Sequence, residues 1–201
     1  ITVAEFREFV KTHPDAVLAT TWHNPWPESM IGISVGGNVE GEPQSGSEGT
    51  CEIKQWIIEN GVPEGNVHDY GMGANHLMPE VFAQADVAVF PNRCEGGTNL
   101  VAMEAMTCGL PCILSANTGH LDLISDDNCY SLMRQSEVTG LPYAKDWGES
   151  DVTEVVEQLE RVYADKREAK CKGDQAAKFM RDWSWEKRTK YLIDQIDETA
   201  H

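Results

Sequence analysis

The sequence predicts an α/β fold built on a parallel sheet covered by helices on both faces, with helices alone towards the C-terminal end. Three observations predict it. Short apolar runs such as VAVF at residues 87–90 and PCILSA at 111–116 are continuous rather than alternating, as strands buried on both faces are. Segments with helical spacing stand between them. From Asp151 onward only helical periodicity remains.

Taken in order, Val3, Phe6, Phe9 and Val10 line one face of an opening helix that Pro14 stops. A strand follows at residues 16–20. Residues 22–50 then lose periodicity and collect Gly, Pro and Ser, a long irregular loop that is either disordered or poised over a site. Ile53, Trp56 and Ile57 restore a helical face in CEIKQWIIENG, where Gly61 suits the C-terminal stop. Next come a short strand at residues 67–70, a helix over 77–85 and the strand at 87–90. A helix over 99–109 leads to the strand at 111–116, then to a short helix at 121–124 and a strand at 129–133. The C-terminal helices occupy residues 151–198, the last of them opened by Ser184 as N-cap, and no internal repeat is visible.

Length and composition fit one domain over residues 1–201 able to bury a real core, with 41% of the 201 residues hydrophobic. Sixteen Lys and Arg against 33 Asp and Glu, a formal charge of −17, leave no basic footprint for a nucleic-acid backbone. Six cysteines (Cys51, Cys94, Cys108, Cys112, Cys129 and Cys171) form no CxxC pair and are read as reduced thiols of a cytoplasmic protein, with Cys108 and Cys112 assigned to the core. No apolar run approaches the ~20 residues of a bilayer span, and no signal peptide is visible. The six histidines show no HExxH and no His/Cys cluster, so no metal site and no cofactor are expected. GMGANH at 71–76 echoes a dinucleotide fingerprint, but His76 stands where the third Gly belongs. Trp22 and Trp26 are the aromatics that suit a carbohydrate platform, Trp56 fits a helix core, and Trp183 and Trp185 read as packing anchors.

The chemistry concentrates in one place. Between Glu95 and Asp122 the sole formally charged residue is Glu104, in the apolar segment LVAMEAM, where an unpaired carboxylate is costly and asks for a partner or a ligand. The segment PNRCEGGTNL follows a strand, the position at which open parallel sheets bind ligands. Gly96 and Gly97 allow close backbone approach, and the helix starting near Asn99 offers unpaired N–H groups to an anion, a phosphate cradle. Glu104 lies about 7.5 Å along the axis from Asn99, at 1.5 Å per residue. Carboxylate, anion-binding amides, carboxylate is the order that matches sugar, diphosphate, ribose. A second reading makes Glu95 a surface loop acid and Glu104 a cap on a neighbouring backbone.

The run EGGTNLVAMEAMTCGLPCILSANTGH, preceded by GNVHDYGM and ADVAVFP and followed by DWSWEKRTKYLIDQI, resembles the donor-binding signature of the group 1 (family 4) glycosyltransferases. The resemblance covers most of residues 51–198. It implies the Rossmann-like, C-terminal half of a GT-B-type enzyme, in which the N-terminal acceptor-binding half is absent from this chain. It further implies a retaining, metal-free transfer of a hexosyl group from a nucleotide sugar to a glycan, lipid or small-molecule acceptor, with a peripheral membrane association of the parent protein. As catalytic residues it assigns Glu95 to the donor sugar and Glu104 to the ribose. Gly96, Gly97, Thr98, Asn99 and Leu100 fall to the diphosphate, and Tyr70, Gly71 and Met72 to the base. His120 falls in the family's glycine loop near the donor, its alternative being an ordinary solvated loop histidine. The chain departs from the pattern twice. Eight residues separate the two acids where the family has seven, and the family's first strand, with the Arg and Lys that grip the diphosphate, has no match. Arg93 and Lys54 are the substitutes on offer. Two further functions share these features: an enzyme such as a nucleotide-sugar epimerase, and a non-catalytic domain that keeps the fold and binds partners.

Overall fold

The computed structural model describes residues 2–22, 48–71 and 74–199, and for 48–52 the backbone alone. Most of the irregular 22–50 loop, with Trp26 and His23, lies outside the described residues, as do Met72 and Gly73. The chain divides into two compact units, Ile1–Met78 and Pro79–His201.

In the first unit, α1 (Thr2–Phe9) buries Val3, Phe6, Phe9 and Val10, the predicted face. Strands β1 (Leu18–Thr20) and β2 (Val67–Asp69) pair in parallel, with Leu18 opposite Val67 and Thr20 opposite Asp69. Between them α2 (Glu48–Glu59) supplies Ile53 and Ile57 to the core. Its end is a Schellman motif: Gly61, at φ +93°, donates to the Ile58 carbonyl and Val62 to that of Ile57. The same helix face that carries the core of α1 also carries Glu5. It is 1% exposed, and neither carboxylate oxygen has a hydrogen-bond partner among the described residues.

The second unit opens within α3 (Met78–Phe82), shorter than the predicted helix because Leu77 belongs to a 3-10 turn, Asn75–Leu77, and the chain leaves the helix in a turn after Phe82. Its sheet has the parallel order β3–β4–β5, from β3 (Ala88–Phe90), β4 (Cys112–Ser115) and β5 (Tyr130–Leu132). The central strand is fully buried at every residue. As an edge strand, β3 is half-buried throughout, so the continuous apolar run read correctly as a strand while overstating its burial. Between β3 and β4 runs α4 (Leu100–Thr107), capped by Asn99, whose side chain accepts from Ala102 N–H. A second Schellman motif ends it, with Gly109 at φ +76° donating to Met106 and Leu110 to Ala105.

Helices α5 (Val152–Ala164), α6 (Lys166–Met180) and α7 (Trp185–Thr199) complete the unit. Asp151 caps α5, and Glu154 accepts the backbone N–H groups of Met133 and Arg134 just after β5. Helix α6 meets the end of α4 at Gly173, where a Cβ would stand 2.1 Å from the Gly109 carbonyl oxygen. A short antiparallel pair, β6 (Gln135–Glu137) with β7 (Gly148–Ser150), was not expected, because QSE and GES carry no apolar alternation. Two packing assignments are corrected. Trp185 is 90% exposed, on a helix with no buried residue, so only Trp183 packs, against Phe179 and beneath the Arg188 guanidinium. Cys108 is exposed, because it caps α4 on the helix's outer side, whereas Cys112 is buried in β4. The five described cysteines are free thiols, and among the described residues no helix is long and apolar enough to cross a membrane.

Glu5 gives the fold a pH signature. Burial lifts its carboxyl from the ordinary 4.5 to about 7. Between those values the folded chain holds a proton that the unfolded chain has released, so this group makes stability fall as pH rises from 4.5 through 7. We expect Glu5→Gln to melt above wild type at pH 8, with the gap closing towards pH 4.5. Parallel melting profiles across that range would show that Glu5 ionises freely in the fold.

Candidate functional site

The loop from Phe90 to Asn99 leaves the carboxyl end of β3 and enters α4, and the turn after β4 lies against it. Two hydrogen bonds join loop and turn: Glu95 N–H donates to the Thr118 side-chain Oγ1 at 2.8 Å, and Gly119 N–H to the Glu95 carbonyl at 3.2 Å. The approach is close enough to dictate the residue. A Cβ on Gly119 would fall 1.8 Å from the Gly97 carbonyl oxygen and 3.1 Å from that of Glu95. Thr118 takes φ +40° to make this turn, an uncommon value for a residue with a side chain.

Gly96 and Gly97 are the opposite case. A Cβ on either would meet nothing within 4 Å, so packing does not require these glycines, and both are exposed. Their open side adjoins the start of α4. The N–H groups of Leu100 and Val101 precede the first intrahelical bond, Met103 N–H to the Asn99 carbonyl, and are among the donors a helix start leaves unpaired. Thr98 adds a buried hydroxyl with no hydrogen-bond partner among the described residues. The predicted cradle is therefore one continuous segment at a helix tip, whose spare donors and dipole favour an anion by about 0.3–1 kcal/mol, rising to ~2 when partly buried.

The two carboxylates stand in different surroundings. Glu95 is half-buried, and its Oε1 accepts from the Asn92 amide at 2.6 Å and the Asn99 amide at 3.1 Å. Burial raises its carboxyl above the ordinary range, and the Asn92 bond pulls it part of the way back. Glu104 is also half-buried, but its carboxylate makes no hydrogen bond or ion pair among the described residues. Nor does it sit within a wholly buried helix. Ala102, Ala105 and Met106 form the core face, while Leu100 at 68% and Val101 at 47% exposure share the outer stripe with Glu104 at helical spacing. The reading of Glu104 as a cap on neighbouring backbone finds no such bond.

His120 is neither solvated nor open to a ligand. It is fully buried, with Nδ1 at 2.9 Å from Ser115 Oγ and Nε2 at 3.1 Å from the Asn99 amide nitrogen, so both ring nitrogens are taken. Arg93 is exposed and ion-paired to Glu149, while Lys54 pairs with Glu64 at 3.7 Å. Tyr70 and Gly71 continue from β2 in the first unit, Tyr70 donating its N–H to Thr20 and Gly71 to Asp69 Oδ1, with Gly71 at φ +62°. The sequence reading missed Asn92, Ser115, Asn117 and Thr118, which carry no charge. The Asn117 amide nitrogen shares its two hydrogens among three acceptors, the Asn92 carbonyl, Gln135 Oε1 and the Gly148 carbonyl, and so ties β6 and β7 to the loop. The signal that could have found them is the polar run SANTG directly after a buried strand. Among the described residues no group of three or more His, Cys, Asp or Glu side chains could hold a metal ion.

The family described as "Family 4 Glycosyltransferase in conflict systems" matches residues 66–192. Comparison with curated proteins returns no match. Among solved structures, the sucrose-phosphate synthase (tll1590) from Thermosynechococcus elongatus is similar at a TM-score of 0.57 and 22% identity, over 79% of this chain and 37% of that one. Anabaena Alr3699/HepE, solved in complex with UDP and with UDP-glucose, is similar at a TM-score of 0.55 and 17% identity, over 98% of this chain and 52% of that one. The chain thus spans between a third and about half the length of these proteins.

The close contact between turn and loop makes a prediction. Gly119→Ala must displace the Glu95–Gly97 backbone, and we expect a melting temperature several degrees lower, from about 1–3 kcal/mol of strain. Gly96→Ala should melt within about 1 °C of wild type, because its Cβ enters open space. Equal melting of the two variants would refute the close approach.

Proposed function

The chain belongs to the family 4 glycosyltransferases of conflict systems, and on that premise we propose that it is the donor-binding half of a retaining glycosyltransferase that takes a hexosyl group from a nucleotide sugar. The observation that carries this reading is the α4 tip, where open glycines and the free amides of a helix start lie between a carboxylate held by two amides and one that has no partner among the described residues. The complexes of HepE with UDP and UDP-glucose support a nucleotide-sugar ligand.

In this reading the amides of Gly96, Gly97, Thr98, Asn99 and Leu100 receive the diphosphate. Glu95 accepts hydroxyls of the sugar and Glu104 those of the ribose, each such bond to a charged acceptor contributing about 1.5–3 kcal/mol. Tyr70, Gly71 and Met72 hold the base. As the bond from the anomeric carbon to the diphosphate breaks, negative charge grows on the departing oxygen, and the helix-tip donors stabilise it without reorganising. Arg93 contributes little while Glu149 neutralises it. We assign the acceptor, a glycan, lipid or small molecule, to a site outside this chain, and propose a cytoplasmic enzyme that uses neither metal nor organic cofactor and whose parent associates peripherally with membranes.

A thermal-shift and calorimetric panel of UDP-, GDP- and ADP-sugars tests donor binding, and silence across the panel would leave a non-catalytic domain as the better reading. Within it, Glu104→Gln should weaken the nucleotide with or without its sugar by about tenfold, the worth of one charged bond. Glu95→Gln should weaken the sugar-bearing form alone, and equal losses in both variants would overturn the assignment. Turnover by a longer form carrying the acceptor half should survive a chelator; loss that Mg²⁺ restores would refute metal-free transfer.

A further inference from the structure

Resting on the reading of Glu95 as the donor-sugar contact, we infer that His120, which cannot reach a ligand, is a positioning residue: its neutral ring, protonated on Nδ1, holds the Asn99 amide so that Asn99 fixes one oxygen of Glu95 and leaves the other for the sugar.

The proton inventory is closed at each atom. Ser115 has one hydroxyl hydrogen and donates it to the Asn92 carbonyl at 2.7 Å. Towards His120 Nδ1, 2.9 Å away, the same hydroxyl can therefore only accept. The Ser115 carbonyl, 3.1 Å from Nδ1, is an acceptor as well. Nδ1 carries the hydrogen, and the neutral ring then presents a lone pair at Nε2. The Asn99 amide nitrogen lies 3.1 Å from it and donates. Asn99 cannot be turned the other way, because its oxygen accepts the Ala102 N–H at 3.0 Å. Its two hydrogens go to His120 Nε2 and to Glu95 Oε1, and with the Asn92 amide on the same oxygen, Oε1 is saturated. Glu95 Oε2 has no partner among the described residues.

An imidazolium, or the other tautomer, would aim N–H at N–H₂. Asn99 would then rotate, giving up either its cap on α4 or its hold on Glu95. Burial opposes the charged ring, which lies wholly out of solvent. Among the described residues, the only charged group joined to this network is Glu95 itself, through Asn99. Strand β4 and its turn contribute Ser115, Asn117 and Thr118, none of which titrates in this range. The turn that carries His120 also grips the Glu95 backbone through Thr118 and Gly119, so carboxylate and main chain are set from one support.

The test uses the whole chain. Histidine ¹⁵N spectra at pH 7, with His120 assigned by substitution, should show it neutral and protonated at Nδ1. Calorimetry then compares UDP-glucose with UDP, GDP-mannose with GDP and ADP-glucose with ADP, the ratio within a pair reading the contribution of the sugar. His120→Leu and His120→Asn lack an acceptor that reaches Asn99 and should reduce that ratio by about tenfold with nucleotide affinity held. His120→Gln, whose oxygen reaches the place of Nε2, should restore it to within about threefold of wild type. An imidazolium or an Nε2-protonated ring at pH 7 overturns the inference, and so does a His120→Asn chain with an undiminished ratio. A wild-type chain that shows no sugar contribution in any pair removes the premise about Glu95, and this role for His120 falls with it.

Discussion

One carboxamide holds the site together. The Asn99 oxygen closes the start of α4, and its nitrogen joins Glu95 to His120. The cap is worth about 0.5–2 kcal/mol to the helix, so folding of α4 and orientation of a proposed ligand group are settled by the same side chain. From Asn99 the polar chain runs inward through His120 and Ser115 to the Asn92 carbonyl. It begins and ends in one loop, closing a ring of hydrogen bonds around the carboxyl ends of β3 and β4.

Local anion attraction has to overcome a chain that carries a formal charge of −17. Arg93 and Lys54, the side chains that sequence reasoning offered for the task, are each engaged by a glutamate. What remains at the loop is main-chain polarity: amides ahead of the first helical bond, beside glycines that leave them uncovered. Such donors are fixed by the fold and keep their charge distribution at any pH, whereas exposed lysines would be screened and mobile.

Elements whose signals are local were legible in the sequence. A helix start near Asn99, Gly61 as a stop and the apolar strand of residues 111–116 each announce themselves within a few residues, and all three stand where they were read. The paired acids of the loop and helix were legible too, because a charge in an apolar run is conspicuous. Legibility failed wherever the answer depended on which side of an element faces outward. The segment LVAMEAM was read as core throughout, yet Leu100 and Val101 are exposed, since a helix as short as α4 shows only part of its circumference to the sheet. Cys108 and Trp185 were misplaced for the same reason, and β6 and β7 were invisible because hydrogen bonds through Asn117 hold them rather than apolar burial. His120 shows the deepest limit. Nothing in NTGHL distinguishes a solvated imidazole from a sequestered one, because its partners lie outside that segment: Ser115 five residues before it in β4 and Asn99 twenty-one residues away at the start of α4.

The contact between Gly109 and Gly173 fastens the far end of α4 to α6, with backbone against backbone and no side chain to yield. Since Asn99 secures the near end, α4 is held at both ends, and Glu104 sits between the two attachments. The ordering entropy of that segment is spent when the polypeptide folds, so an arriving molecule meets a surface already in its final shape.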